Sequence, residues 1–162
     1  MGTVITKEFL KSVETFSSLS ADDADALATA GREEVFKRGQ TLFREREAAD
    51  KLWVIVTGVV EISKSAPGDG RIHRLARLER GEMVGEISAF DRGPRSATAT
   101  AALVPETHLV SWTYSEFQSF LQRRPQAAIP IMAALLRKLG QRLRHASEGI
   151  HTLLRALEGA PV

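Results

Sequence analysis

Two side chains near the middle of this sequence are of the right types to hold a small anionic molecule between them. In Gly85-Glu86-Ile87-Ser88-Ala89-Phe90-Asp91-Arg92-Gly93-Pro94-Arg95-Ser96-Ala97, a carboxylate precedes an arginine–serine pair. Arg95 offers a planar guanidinium whose paired N–H donors match two oxygens of a phosphodiester, which the point charge of a lysine matches less well. Ser96 adds a hydroxyl donor beside it, and Glu86 supplies an acceptor for a hydroxyl group of the same molecule. Gly85 lets the backbone approach closely. A short helical turn from Ile87 through Ser88 to Phe90 would turn free N–H groups toward the anion. A plainer account is that Glu86 and Arg95 pair with each other across a surface loop, for almost no net energy. An Arg95 buried without a ligand would, however, be expensive.

Other chemistry finds little footing. The chain has no cysteine, which excludes disulfides, thiolate metal sites and cysteine nucleophiles. Its four histidines, His73, His108, His145 and His151, form no recognisable metal motif. No Gly-x-Ser-x-Gly elbow, Walker A loop or His-Glu-x-x-His is present, and no metal ligands accompany Glu86 to activate a water. The reading is therefore a binding protein and not an enzyme, with no metal and no cofactor.

The elements that must position Glu86 and Arg95 fall into three zones. From Thr6 to Gly31 (6–31), Phe9, Leu10, Val13 and Phe16 recur at helical intervals. Ser20 is placed as the N-cap of a second helix, Asp22 and Asp23 suit its first turn, and Gly31 is its stop. The middle zone, 33–113, alternates short apolar runs with turn residues. The runs are Glu34–Lys37, Thr41–Phe43, Leu52–Val56, Val59–Lys64, Ile72–Leu78, Met83–Val84, Ala97–Val104 and His108–Trp112. Such punctuation predicts an all-β barrel or sandwich, with Pro67-Gly68-Asp69-Gly70 as a hairpin connection.

The last zone, 114–157, is helical. Thr113-x-x-Glu116 has capping-box spacing and opens a short helix that ends before Pro125. A long helix follows from Gln126 to Leu157, its start delayed if Pro130 is not tolerated. Leu136, Leu143, Ile150 and Leu157 fall every seven residues, which suits either a dimer seam or an amphipathic helix lying on its own barrel. The basic residues Arg137, Lys138, Arg142, Arg144 and His145 read as a solvated flank of that helix.

With 162 residues, 43% of them hydrophobic, and a net charge of +2, the chain fits one globular domain over 1–162 with no polyanion affinity. Its longest apolar runs are too short to cross a bilayer.

The stretch Gly85–Ala99 resembles the phosphate-binding cassette of the cyclic-nucleotide-binding domain family, in its Gly85-Glu86 opening and its Pro94-Arg95-Ser96-Ala97 close. Asp50–Val60 resembles that family's strand–glycine–strand hairpin, and Leu78–Glu86 its lead into the cassette. The resemblance covers roughly Phe9 to Leu157. It implies an α+β fold, an antiparallel β jelly-roll barrel flanked by N-terminal helices and a long C-terminal helix. It further implies that Glu86 holds a ribose hydroxyl, that Arg95 and Ser96 hold the cyclic phosphate, and that Gly85, Ile87, Ser88 and Ala97 line the ligand. The long helix closes over the base in that family, which makes Arg142, and less so Lys138, lid candidates. Ser96 favours cAMP over cGMP, since family members that prefer cGMP often carry threonine there. The expectation is a bacterial, cytoplasmic signal-transduction receptor without a helix-turn-helix domain, contacting neither nucleic acid nor membrane. It would act on an unknown protein partner or on its own copy in a homodimer. The alternative is a degenerate scaffold that has lost its ligand.

Overall fold

A computed structural model of the chain describes residues 5–66, 68 and 70–158. Pro67 and Asp69 of the expected hairpin connection lie outside the described residues. Thr6 caps α1 (Lys7–Ser12) by accepting the Phe9 N–H, and a 3-10 turn follows over Glu14–Phe16. Ser20 caps α2 (Ala21–Ala30) by accepting the Asp23 N–H, with Asp22 and Asp23 at the positive end of the helix dipole. Gly31 ends α2 as expected, but not through left-handed backbone, since its φ is −75°. Space decides that position: a Cβ on Gly31 would lie 2.6 Å from Val110 Cγ2.

Each apolar run of the middle zone is a strand: β1 (Arg32–Lys37), β2 (Thr41–Phe43), β3 (Lys51–Thr57), β4 (Val59–Ser65), β5 (Ile72–Leu78), β6 (Met83–Val84), β7 (Thr98–Ala102) and β8 (Glu106–Thr113). They pair as two four-stranded antiparallel sheets, β1-β8-β3-β6 and β2-β7-β4-β5. The expected barrel is thus corrected to an open sandwich, because the described ladders join strands within each sheet and not across the edges. Trp53, Ile55 and Leu109 of one sheet meet Phe43, Val60, Leu78 and Ala99 of the other in a shared core. Facing sheets bury these side chains without closing into a cylinder.

The first sheet also backs onto the helices. Leu52, Val54 and Val56 of β3 turn away from the sandwich core toward Phe16, Leu27 and Phe117. Both faces of β3 are therefore covered, which explains its unbroken apolar run. Trp112 anchors this layer: its indole N–H donates to Leu27 O at 2.9 Å, and Phe16 meets its ring edge-on at 6.2 Å.

A short helix α3 (Ile87–Asp91) lies between β6 and β7. The capping box holds, with Thr113 and Glu116 exchanging side-chain and backbone bonds at the start of α4 (Tyr114–Arg123). Helix α5 (Pro125–Glu158) begins at Pro125, whose missing N–H belongs to the unbonded first turn. Pro130 sits inside it and does not delay its start. Ala127, Ile131, Ala134 and Leu135 bury the lower part of α5 against the helical layer. Residues 141–158 are all exposed. The base of the helix thus packs on its own domain, while Leu143, Ile150 and Leu157 face solvent. Among the described residues no helix is long and apolar enough to cross a membrane.

Candidate functional site

The stretch from β6 to β7 is a tight loop around α3. Gly85 takes φ +78°, and a Cβ there would lie 2.5 Å from Arg95 Nη1, so both backbone and space demand glycine. Glu86 follows as the N-cap of α3 and is buried. Ser88 is buried and donates to Pro94 O at 3.4 Å, tying the start of the loop to its end. The returning backbone is clamped by the β2–β3 connection, with Arg46 N–H donating to Arg95 O at 2.8 Å and Arg95 N–H to Glu47 O at 2.9 Å. Ala97 is buried, whereas Ser96 and Ile87 are exposed.

Arg95 is only 3% exposed. Its guanidinium carbon stands 4.1 Å from the Phe43 ring centre, 5.2 Å from Trp53 and 5.7 Å from Tyr114. Nη1 donates to the Tyr114 hydroxyl at 2.8 Å and to Gly85 O at 3.4 Å, and Nη2 donates to Lys51 O at 2.8 Å. The nearest carboxylate, Asp50, stands 3.7 Å away and is itself largely in solvent. Burial pulls the Arg95 pKa down, opposed by Tyr114 and Asp50. Nε is buried and has no partner. A guanidinium has five N–H donors; Nε–H is unused, and beyond Lys51 O the Nη2 group has only the Asp50 carboxylate, at 3.7 Å. Unmet donors on a buried cation are costly.

Glu86 and Arg95 do not pair with each other, so the plain surface ion pair is not what the loop forms. Glu86 instead accepts from Arg142 on α5. Of the two lid candidates, Arg142 therefore reaches the loop, while Lys138 turns to Glu14 at 3.6 Å. Sequence reasoning missed Tyr114, Asp50, Lys51, Phe43 and Trp53 as surroundings of Arg95. Two of the contacts are backbone carbonyls, which no side-chain pattern encodes. An open cleft of about 360 Å³ lined by Arg44, Glu45, Arg46, Ser65, Ala66 and Thr98 lies near the clamp but includes neither Glu86 nor Arg95. Those two are closed over by protein.

Residues 33–124 match the family model described as cyclic nucleotide-binding domain. A CRP-like cAMP-activated global transcriptional regulator of Mycobacterium tuberculosis is 38% identical over 119 residues, covering 74% of this chain and 50% of that protein. The chain thus spans about half the length of this relative. The N-terminal domain of a transcriptional regulator from Streptomyces coelicolor superposes with a TM-score of 0.70 at 33% identity, over 88% of this chain and 94% of that one. A cyclic nucleotide-binding domain from Methylobacillus flagellatus gives a TM-score of 0.77 at 26% identity, over 92% and 81%. With the Gly85–Ala97 loop folded between its two sheets and α5, this chain belongs to the cyclic nucleotide-binding domain family.

Proposed function

We propose that the chain is a receptor for a cyclic mononucleotide, cAMP in preference to cGMP, and that it acts by moving α5 and not by catalysis. The observation that carries this reading is Arg95: a buried cation, caged by aromatic rings, with Nε–H unpartnered and Nη2 held beyond Lys51 O only by the exposed Asp50 at 3.7 Å, which a ligand could displace. A cyclic phosphate supplies two acceptor oxygens for those donors. Ser96 adds its hydroxyl, and Gly85, Ile87, Ser88 and Ala97 shape the loop around the ligand. Glu86 accepts the ribose hydroxyl, which must compete with Arg142 for the carboxylate. Binding would thereby loosen α5 from the loop, a differential affinity for two helix positions. The exposed stripe of Leu143, Ile150 and Leu157 on α5 supports a homodimer as the element that reads this movement. Residues 1–162 are read as one domain working in the cytoplasm.

A scaffold that binds no nucleotide is the competing reading, and the Glu86–Arg142 pair favours it by satisfying Glu86 without a ligand. Thermal unfolding with cAMP, cGMP, 5′-AMP and cyclic di-GMP, on the natural chain and on Arg95→Ala, separates the two. Ligand at 100 times its dissociation constant adds about 2.7 kcal/mol, a shift of several degrees for a domain of this size. A shift with cyclic mononucleotides that disappears in Arg95→Ala supports the receptor. No shift with any ligand establishes the scaffold.

A further inference from the structure

Tyr114 stands at a junction that the receptor reading does not use. As the first residue of α4, it donates its backbone N–H to Asp50 O at 2.8 Å. Its hydroxyl donates to Gly85 O at 2.8 Å and accepts from Arg95 Nη1 at 2.8 Å. One phenol thus ties together the residue that opens the loop, the arginine near its close and the start of the helix that leads into α5. Burial raises the Tyr114 pKa, with Arg95 opposing, so the phenol stays protonated and keeps its donor.

From this geometry we infer that Tyr114 is a positioning residue for the anion: its hydroxyl holds the Arg95 guanidinium at one rotation, so that Nε and Nη2 present to fixed oxygens. The inference rests on the cyclic-nucleotide reading above. Lys51 O and Gly85 O hold the same group, but both are backbone atoms, and Gly85 O is the longer contact at 3.4 Å. Without the hydroxyl the guanidinium keeps its charge and its aromatic cage but can turn as a rigid plane about its Cδ–Nε bond. Attraction to the phosphate then survives, while discrimination between the two exocyclic phosphate oxygens is lost. The consequence is stereochemical and does not follow from a role in stability.

The test compares the natural chain with Tyr114→Phe by calorimetric titration of cAMP and of its two phosphorothioate diastereomers. In each diastereomer sulfur, a weaker acceptor, replaces one of the two exocyclic oxygens. Tyr114→Phe keeps the ring and the start of α4, and a thermal melt of each protein reports folding. The natural chain is expected to prefer one diastereomer. In Tyr114→Phe cAMP affinity should fall about tenfold, the worth of one charge-assisted hydrogen bond, and the preference should shrink toward one. Equal weakening of both diastereomers with the preference intact, or no preference in the natural chain, would overturn the inference. Failure of the natural chain to bind any of the three ligands would instead remove the receptor reading on which it stands.

Discussion

Arg142 of α5 donates to the buried Glu86 carboxylate from 56 positions further along the chain. The Glu86 side chain is 8% exposed and that of Arg142 is 42% exposed, so the helix reaches down from solvent into the loop. In the proposed receptor its arginine occupies the acceptor that a ribose hydroxyl would use, so that a ligand and α5 would compete for one carboxylate.

Removing that competitor should strengthen binding. A half-exposed ion pair contributes about 0.2–1 kcal/mol, so Arg142→Ala is predicted to raise cAMP affinity by up to about fivefold. Hydrogen exchange along α5 beyond Gly140 should also stop responding to ligand. Calorimetry and exchange mass spectrometry check the two halves. A fall in affinity would show instead that Arg142 touches the nucleotide itself.

Gly85→Ala attacks the loop from its backbone. The left-handed φ of +78° and the 2.5 Å approach of a Cβ to Arg95 Nη1 act together. Left-handed strain alone is about 1–2 kcal/mol, which lowers the melting temperature by about 2–8 °C in a domain of this size. The displaced guanidinium should abolish the ligand-induced shift as well. Retained cAMP binding in a destabilised Gly85→Ala protein would show that Arg95 need not sit where it does.

Acid should weaken the junction between β1 and α4. Glu116 accepts from Arg32 at 2.5 and 2.7 Å and from the Thr113 N–H and hydroxyl, which lowers its pKa from 4.5 to about 2. A depressed carboxylate pKa stabilises the fold above the unfolded value, and that contribution is lost as pH falls from about 4.5 to about 2. The pair is partly exposed, so solvent screening limits its worth. Glu116→Gln should melt a few degrees below the natural chain at neutral pH, with the gap closing toward pH 2. A gap constant with pH would show that packing, and not charge, holds this corner.

The solvent-facing stripe on α5 predicts self-association. Leu143 is 69% and Ile150 59% exposed, so neither contributes to the fold of the single chain. Sedimentation velocity over a concentration series should show a dimer that Leu143→Asp dissociates without lowering the melting temperature of the domain at matched monomer state. A natural chain that stays monomeric at high concentration would exclude the seam.

Sequence by itself determined the local units. Strand lengths followed from apolar runs between turn residues, the caps of α2 and α4 from Ser20, Thr113 and Glu116, and the loop from its Gly85-Glu86 and Pro94-Arg95-Ser96-Ala97 ends. These are short-range effects, set by period, by backbone preference and by hydrogen bonds within a few residues. Only the tertiary structure decided that the strands form two open sheets, since edge pairing depends on how the Trp53 and Phe43 faces stack. It also decided the partners of the charges. Glu86 meets Arg142, and Arg95 meets Tyr114 and the carbonyls of Lys51 and Gly85. Those contacts join segments far apart in the chain, two of them through backbone oxygens that every residue carries. No spacing in the sequence records such a meeting, because it is the burial of β3 between two layers that brings the start of β3, the loop and the first turn of α4 to one place.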